Sequence, residues 1–177
     1  MVNITLPEVW GPAAWYLLHH ITRNLTADKV ALIDFFTILW VFIPCAICRN
    51  HYMDYVKKDP YIDHLDEIDK WGFELHNKIN KMLNKAQMSY ETFRKTYSKK
   101  PTSPQLKKFI DIIVELHLTP DISLSEIQDL KKFLKTILLL YPLPIAAKSK
   151  TAALDKLANV YDYYTLKSYY RTYSVLL

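Results

Sequence analysis

The chain has 177 residues, of which half are hydrophobic and 14% aromatic, a composition typical of a folded globular protein. Its formal net charge is +5, but the basic residues are interspersed with acidic ones, so we expect no nucleic-acid binding. Only two glycines occur, which excludes the glycine-rich phosphate loops of Rossmann and P-loop folds and disfavours an all-β chain with many tight turns.

Helical periodicity dominates the first hundred residues. The N-terminus has neither the basic start nor the apolar run of a signal peptide. Apolar residues at helical spacing predict a first helix over residues 12–21, starting near Pro12, and Thr26 or Asp28 is predicted to cap a second, mostly buried helix over 30–43. The most apolar stretch, residues 35–47, is shorter than the ~20 residues that span a bilayer, so no membrane partner is expected.

Three more helices are predicted before residue 98. The third begins near Cys45, directly after a proline, and must break at Asp59 and the proline that follows. The fourth covers about residues 65–83, where apolar side chains recur every four residues. A short fifth helix fits residues 90–97.

The best domain boundary is residues 99–104, because two prolines three residues apart among small polar residues do not continue a helix. We therefore predict two units, 1–98 and 105–177. The second unit has no cysteine, and it again shows helical periodicity over residues 109–116, 127–140 and 152–164. The predicted fold class is all-α throughout.

The only two cysteines, Cys45 and Cys48, form a C-x-x-C motif. On a helix, positions i and i+3 share a face, and the positive helix N-terminus stabilises a thiolate, so the pair suits reversible oxidation. Two alternatives remain open, namely two buried free thiols and half of a zinc site. Zinc needs about four ligands, and a second C-x-x-C is absent, although His51 or His76 could contribute. A thioredoxin-type site is disfavoured because a helix, not a strand, precedes the motif.

Three segments together resemble the Erv/ALR family of FAD-linked sulfhydryl oxidases. Residues 10–19 resemble its W-x-x-x-H start, and residues 44–48 resemble its P-C-x-x-C. Residues 71–85 resemble its W-x-x-x-x-H-N-x-V-N-x-x-L-x-K, with isoleucine in place of valine. The three motifs occur in the family's order and cover roughly half of the chain, from Trp10 to about Tyr97.

The resemblance implies a four-to-five-helix bundle that binds FAD as its cofactor without a glycine loop and requires no metal. It implies that the chain is an enzyme that forms disulfide bonds in protein substrates. A substrate dithiol would attack Cys45, Cys48 would lie against the flavin, and dioxygen would take the electrons and leave as hydrogen peroxide. The implied FAD-binding residues are Gly11, Trp15, His19, Arg23, Phe42, Phe73, His76, Asn77, Asn80, Lys81, Leu83, Lys85 and Tyr97.

Without the resemblance, several of these residues have plainer interpretations. Trp15 and Phe42 could be core aromatics, His19 a satisfied buried histidine, and the two lysines solvated. The two asparagines of the fourth helix are harder to explain in this way, because an amide on an otherwise apolar helix face needs hydrogen-bond partners. The principal rival to the oxidase interpretation is a non-enzymatic helical interaction protein with structural cysteines, and a weaker rival is a zinc-binding module.

The cysteine count departs from the family. Many members carry a further C-x-x-C on a flexible tail and an additional structural disulfide, and two cysteines can supply neither. Cys45 would therefore take electrons directly from a partner's dithiol or from a separate thiol shuttle protein. This short form is similar to the enzymes of large DNA viruses, which implies the host cytoplasm or the virion, with the mitochondrial intermembrane space as the alternative.

The second unit also shows a weak internal similarity to the first. Leu143 follows His117 by the same interval that separates Cys45 from His19, and Ala146 then falls where the second cysteine would stand. We predict a degenerate copy of the bundle that has lost its redox pair. Such a copy would cover the surface that the family uses for homodimerisation, so either a homodimer or an intrachain pseudo-dimer is expected.

Overall fold

The computed structural model describes residues 3–23 and 28–176, which are all-α, as predicted, and contain no strand. The first half forms α1 (Pro7–Thr22), α2 (Lys29–Leu39), α3 (Ala46–Lys58), α4 (Ile68–Met82) and α5 (Tyr90–Tyr97). The second half forms α6 (Ser103–His117), α7 (Leu124–Leu140), α8 (Ala147–Ala158) and α9 (Tyr163–Tyr173). None of the described helices has the length and apolar character needed to cross a lipid bilayer.

The first helix begins at Pro7, so the predicted start near Pro12 was wrong. A proline in the first turn has no N–H to lose from the helix ladder, and Pro7 therefore suits this position. The Trp10 indole N–H donates to the Thr5 carbonyl at 3.1 Å and secures the additional turn. This turn brings Trp10 and Gly11 into the helix, on the side where the cavity described below is found.

The second helix leads into the cysteine motif through a short 3-10 turn, Trp40–Phe42. The Asp28 carboxylate caps α2 by accepting the N–H of Val30 at 2.8 Å, while Thr26 lies outside the described residues. Helix α3 begins at Ala46, with Cys45 as its N-cap residue. The chain therefore reaches the two cysteines along a nearly continuous helical path.

The end of the chain departs from the prediction, because residues 152–164 do not form one helix. Helix α8 ends at Ala158, and α9 begins after Asp162. The Asp162 carboxylate accepts the Thr165 N–H at 2.7 Å, and the Thr165 hydroxyl accepts the Asp162 N–H at 3.1 Å. This capping box uses threonine where glutamate or glutamine is usual, which explains why the sequence pattern did not reveal it.

Helix α4 is anchored to the end of α3 through Trp71, which is buried. Its indole N–H donates to the Asp59 carbonyl at 2.9 Å. The Asp59 carboxylate in turn accepts the Tyr55 hydroxyl at 2.8 Å and lies 2.7 Å from His64 Nε2. These bonds fix the orientation of α4, whose opposite end carries the histidine and asparagines of the third motif.

Gly72 allows α4 to approach α1 closely, since a Cβ at this position would lie 3.1 Å from the Leu18 Cδ2 atom. We expect Gly72→Val to lower the free energy of unfolding by about 1–3 kcal/mol, because the interface has no room for a branched side chain. Gly72→Ala should cost less, since alanine gains about 1 kcal/mol of helix propensity over glycine. Urea unfolding monitored by circular dichroism measures both, and a valine variant as stable as the wild type would contradict the prediction.

The two halves share one hydrophobic core. Helix α1 packs against α6, and α2 packs against α7. Aromatic pairs mark both contacts: the ring centroids of Trp10 and Phe109 are 6.3 Å apart, and those of Phe35 and Phe133 are 6.4 Å apart. The helix that carries the first motif, α1, and the helix that leads into the cysteines, α2, are therefore covered by the cysteine-free half.

Candidate active site

The two cysteines are bonded to each other at the N-terminus of α3. Their Cα atoms are 5.1 Å apart, within the usual range for a disulfide. The Cys45 sulfur also accepts the Cys48 backbone N–H at 3.2 Å. Both residues are half-buried, so the bond is reachable from solvent and sits where the positive end of a helix dipole stabilises a thiolate.

Cys48 lies on the wall of a cavity of about 560 Å³, whereas Cys45 does not. A volume of this size is within the range of small-molecule sites, about 300–1,000 Å³. The cavity lies beside α1 and α4, with contributions from α2, α3, α5 and α6. The predicted FAD-binding residues that line it are Gly11, Trp15, His76, Asn80, Leu83, Lys85 and Tyr97.

A stack of aromatic rings joins α1 to α4 at the cavity. The Trp15 and His76 rings are 4.0 Å apart and nearly parallel, at 6°. His19 is fully buried behind them, and its Nε2 shares a hydrogen bond of 2.9 Å with His76 Nδ1. The ring centroids of Phe93 and Tyr97 lie 4.9 and 4.7 Å from that of His19. The W-x-x-x-H spacing thus places Trp15 and His19 on the same side of α1, where Trp15 stacks on His76 and His19 forms a hydrogen bond with it.

Burial lowers the pKa of all three histidines in this region. The pKa of His76 falls to about 4 through burial and the nearby Lys85 charge, and that of His20 to about 4 through burial and the nearby Arg23 charge. His19 shifts in the same direction because of burial and the neighbouring His76 and His20. At neutral pH these side chains are uncharged, so they offer hydrogen bonds and ring surface instead of positive charge.

These depressed pKa values predict acid-sensitive stability for the cofactor-free chain. Between pH 6.5 and about 4 the unfolded chain binds more protons than the folded one, so stability is complete above pH 6.5 and is lost as the pH falls. Each such histidine costs about 1.4 kcal/mol per pH unit inside this window. Urea midpoints at pH 7 and pH 5 measure the loss. His20→Asn should reduce the loss, and equal midpoints at the two pH values in the wild type would contradict the prediction.

Two of the residues implied by the resemblance make other contacts instead of lining the cavity. Arg23 pairs with Asp69 at 3.1 Å, although its buried Nε has no partner among the described residues. The Asn77 side-chain amide binds the Met88 backbone twice, as donor at 2.7 Å and as acceptor at 3.0 Å. The Asn77 amide therefore finds the hydrogen-bond partners it needs in the Met88 backbone. Of the two asparagines, only Asn80 lines the cavity.

Three further implied residues also lie outside the cavity lining. Phe73 packs against Tyr90 and Phe93, at 5.2 and 5.3 Å. Lys81 is exposed on the surface of α4. Phe42 is buried against the cysteine-free half, with its ring 4.7 Å from Phe133. For Phe42, the interpretation as a core aromatic matches the packing.

Several cavity residues were not singled out from the sequence. Trp10 stands beside Gly11 in the first motif, and its place in α1 would have been a sufficient signal once the helix was extended to Pro7. Tyr52 lies one turn beyond Cys48 on the same face of α3, which is a usable helical signal. Phe109 comes from α6, and no local pattern in the sequence connects it to a site on α1 and α4.

The cavity fits a flat aromatic cofactor such as the isoalloxazine and adenine rings of FAD. A Cβ built on Gly11 meets no heavy atom within 4 Å, so the cavity comes directly against the α1 backbone there. The buried Nδ1 of His19 has no hydrogen-bond partner among the described residues. The walls of the cavity are mainly apolar, with a few polar groups and the exposed Lys85 among them, as is common for cofactor sites.

Comparisons with known proteins agree with these motifs. The 096R protein of Invertebrate iridescent virus 3 is 31% identical over 100 residues, which cover 51% of this chain and 67% of that protein. The FAD-linked sulfhydryl oxidase of African swine fever virus (isolate Tick/Malawi/Lil 20-1/1983) is 29% identical over 94 residues, covering 50% of this chain and 79% of the viral protein. The mitochondrial FAD-linked sulfhydryl oxidase ERV1 of Saccharomyces cerevisiae is 27% identical over 96 residues, or 51% of each chain.

A search of solved structures gives no significant match. The sequence model described as the Erv1/Alr family matches residues 12–99, a span that contains the aromatic stack, the bonded cysteines and the third motif. Helices α6 to α9 lie beyond this span. On the strength of this match, the viral relatives and the arrangement of the site, the chain belongs to the Erv1/Alr family.

Proposed function

We propose that this chain is an FAD-linked sulfhydryl oxidase that forms disulfide bonds in protein substrates. One observation carries the proposal: of the two bonded cysteines, Cys48 alone lines the cavity, and the stacked Trp15 and His76 line the same cavity. The names of the viral and yeast relatives support the same activity. A bonded cysteine pair favours redox chemistry over the zinc-module and structural-thiol alternatives.

The different positions of the two sulfurs support an order of attack. A substrate thiolate attacks the Cys45 Sγ, which lies outside the cavity lining, and the sulfur–sulfur bond breaks with its electron pair on Cys48. Cys48 is in the first turn of α3, where the helix dipole stabilises the thiolate that is released. The second thiol of the substrate then displaces Cys45, which leaves an oxidised substrate and a reduced cysteine pair.

The chemistry that FAD would supply here is two-electron transfer from the reduced cysteine pair to dioxygen, which would give hydrogen peroxide. The residues that would hold it are those of the cavity lining, with Trp15 and His76 offering ring surface, and Asn80 and Lys85 offering polar contacts. The hydrogen bond with His19 orients the His76 ring, and because both histidines are uncharged they add no positive charge to this wall of the cavity.

The visible absorption spectrum of the purified protein tests this proposal. We expect a flavin spectrum that bleaches when dithiothreitol is added without oxygen and recovers in air. Hydrogen peroxide formed in the recovery phase should equal the dithiothreitol oxidised. A chain that stays colourless after incubation with excess FAD would contradict the oxidase assignment and favour a non-enzymatic interaction protein.

The thiol donor is a protein dithiol or a separate shuttle protein, because this chain has no third or fourth cysteine to form a shuttle of its own. The viral relatives favour the host cytoplasm or the virion as the place of action over the mitochondrial intermembrane space. Labelling of free thiols in infected and uninfected cell fractions, with and without the chain, tests both points.

The cysteine-free half is proposed to be a degenerate second copy of the bundle, spanning residues 105–177. Helices α6 and α7 are separated by the same number of residues as α1 and α2, and each packs against its counterpart. A two-fold axis between two copies produces the same pairing of equivalent elements. We therefore expect the full chain to sediment as a 20.9 kDa monomer, and a dimer cross-linked through α1 would contradict this.

A further inference from the structure

The 3-10 turn that leads into the cysteines is held by the cysteine-free half. Phe42, the last residue of this turn, is 1% exposed and precedes Cys45 by three residues. Its ring lies 4.7 Å from that of Phe133 in α7 and meets the His117 ring edge-on at 5.1 Å. Both partners come from helices outside the span that matches the family.

The other side of the same turn is tied to α3. The Arg49 guanidinium donates to the Ile43 carbonyl at 3.1 Å, and Arg49 directly follows Cys48 in the chain. The Ile43 N–H donates back to the Trp40 carbonyl at 3.4 Å, which closes the turn. The short segment between Phe42 and Arg49 therefore has both ends fixed, and it contains both sulfur atoms.

We propose that His117 and Phe133 are positioning residues for the Cys45–Cys48 disulfide, acting through Phe42. A segment fixed at both ends keeps the two cysteine Cα atoms near the 5.1 Å that a disulfide requires, also after reduction. The two thiols then stay at high effective concentration, which favours re-formation of the bond. The cysteine-free half thereby stabilises the oxidised form of a pair to which it contributes no sulfur.

The thiol–disulfide equilibrium with dithiothreitol tests this inference. In that reaction the protein disulfide takes two electrons and two protons from dithiothreitol, which becomes its cyclic disulfide. Phe133→Leu and His117→Ala each remove one aromatic contact with Phe42. We expect each to shift the equilibrium about threefold toward the protein dithiol, the scale of one lost aromatic pair. His117→Phe, which keeps a ring against Phe42, should restore the wild-type constant.

Leu106→Val is the matched control for general loosening of the core. Leu106 is fully buried in the first turn of α6, about 16 Å along the helix from His117 at 1.5 Å per residue. It should lower the unfolding midpoint without changing the thiol–disulfide constant. An unchanged constant in Phe133→Leu, or an equal shift in Leu106→Val, would overturn the inference.

This positioning role rests on the proposed oxidase function, because only in an oxidase does it serve catalysis. The thiol–disulfide equilibrium can be measured whether or not the chain is an oxidase. At equilibrium without oxygen, alkylation of free thiols followed by mass spectrometry counts the reduced protein whether or not FAD is bound, because no electrons are lost to dioxygen. A colourless protein with the expected threefold shifts would refute the oxidase proposal alone. A flavoprotein without these shifts would refute the positioning role alone.

Discussion

Replacing Cys48 with serine is expected to lower dithiothreitol-driven oxygen consumption by at least about a thousandfold, the scale seen when a covalent catalytic group is removed. Cys48 is the one cysteine that lines the cavity, so its loss removes the sulfur placed to face a bound cofactor. The serine hydroxyl cannot form a disulfide or carry the two electrons. Oxygen uptake and anaerobic bleaching of the flavin band measure the effect on two independent scales.

Two further variants make this test specific. Ala46→Ser adds a hydroxyl at an exposed position between the cysteines while keeping both sulfurs, so it should retain near-normal oxygen uptake. Cys45→Ser should also lose turnover, since a substrate dithiol then has no disulfide to attack. Flavin bleaching at the wild-type rate in the Cys48→Ser variant would refute the assigned electron path.

Enlarging Gly11 is expected to separate cofactor binding from folding. The position faces open space in the cavity wall, so alanine, valine and leucine occupy progressively more of the volume that FAD would need. We expect Gly11→Leu to weaken FAD binding at least about tenfold, since overpacking a well-filled site costs about 1–3 kcal/mol and 1.4 kcal/mol is a factor of ten. Gly11→Ala should meanwhile stabilise the cofactor-free chain by up to about 1 kcal/mol through helix propensity.

The diagnostic result is that a larger residue at position 11 weakens FAD binding, while alanine there raises the stability of the cofactor-free chain. Flavin content after purification and titration with FAD measure binding, and urea unfolding of the cofactor-free protein measures stability. Ala153→Leu is the control for general overpacking, because it enlarges a fully buried small residue of α8 outside the cavity lining. Wild-type affinity in Gly11→Leu would show that FAD does not occupy this cavity.

Local patterns predicted the helices well where caps and prolines are conventional. Helix α5 was predicted with its observed limits, 90–97, and the Asp28 cap of α2 follows directly from its preference for that position. The errors have specific physical causes. Both Pro7 and Pro12 suit a first helical turn, and the helix begins at the earlier one; the capping box of Asp162 and Thr165 uses threonine, which is not a common pattern.

The site was predictable to the extent that its residues share a helix. Trp15 and His19 lie one turn apart, and the C-x-x-C motif occupies a helix start, so sequence spacing alone groups them. What spacing cannot show is how distant helices meet. The burial of Phe42 against Phe133 and the entry of Phe109 into the cavity both depend on packing between halves of the chain, for which local periodicity has no signal.

The pairing of α1 with α6 and of α2 with α7 also constrains synthesis on the ribosome. The paired helices are separated by roughly a hundred residues in the chain. At a synthesis rate of about 5–20 residues per second, the apolar sides of α1 and α2 stay unpaired for on the order of 5–20 s until α6 and α7 emerge. During that interval the nascent chain exposes surface that chaperones recognise. The emergence of α6 and α7, rather than completion of the cysteine-bearing half, is the event that allows α1 and α2 to bury these surfaces.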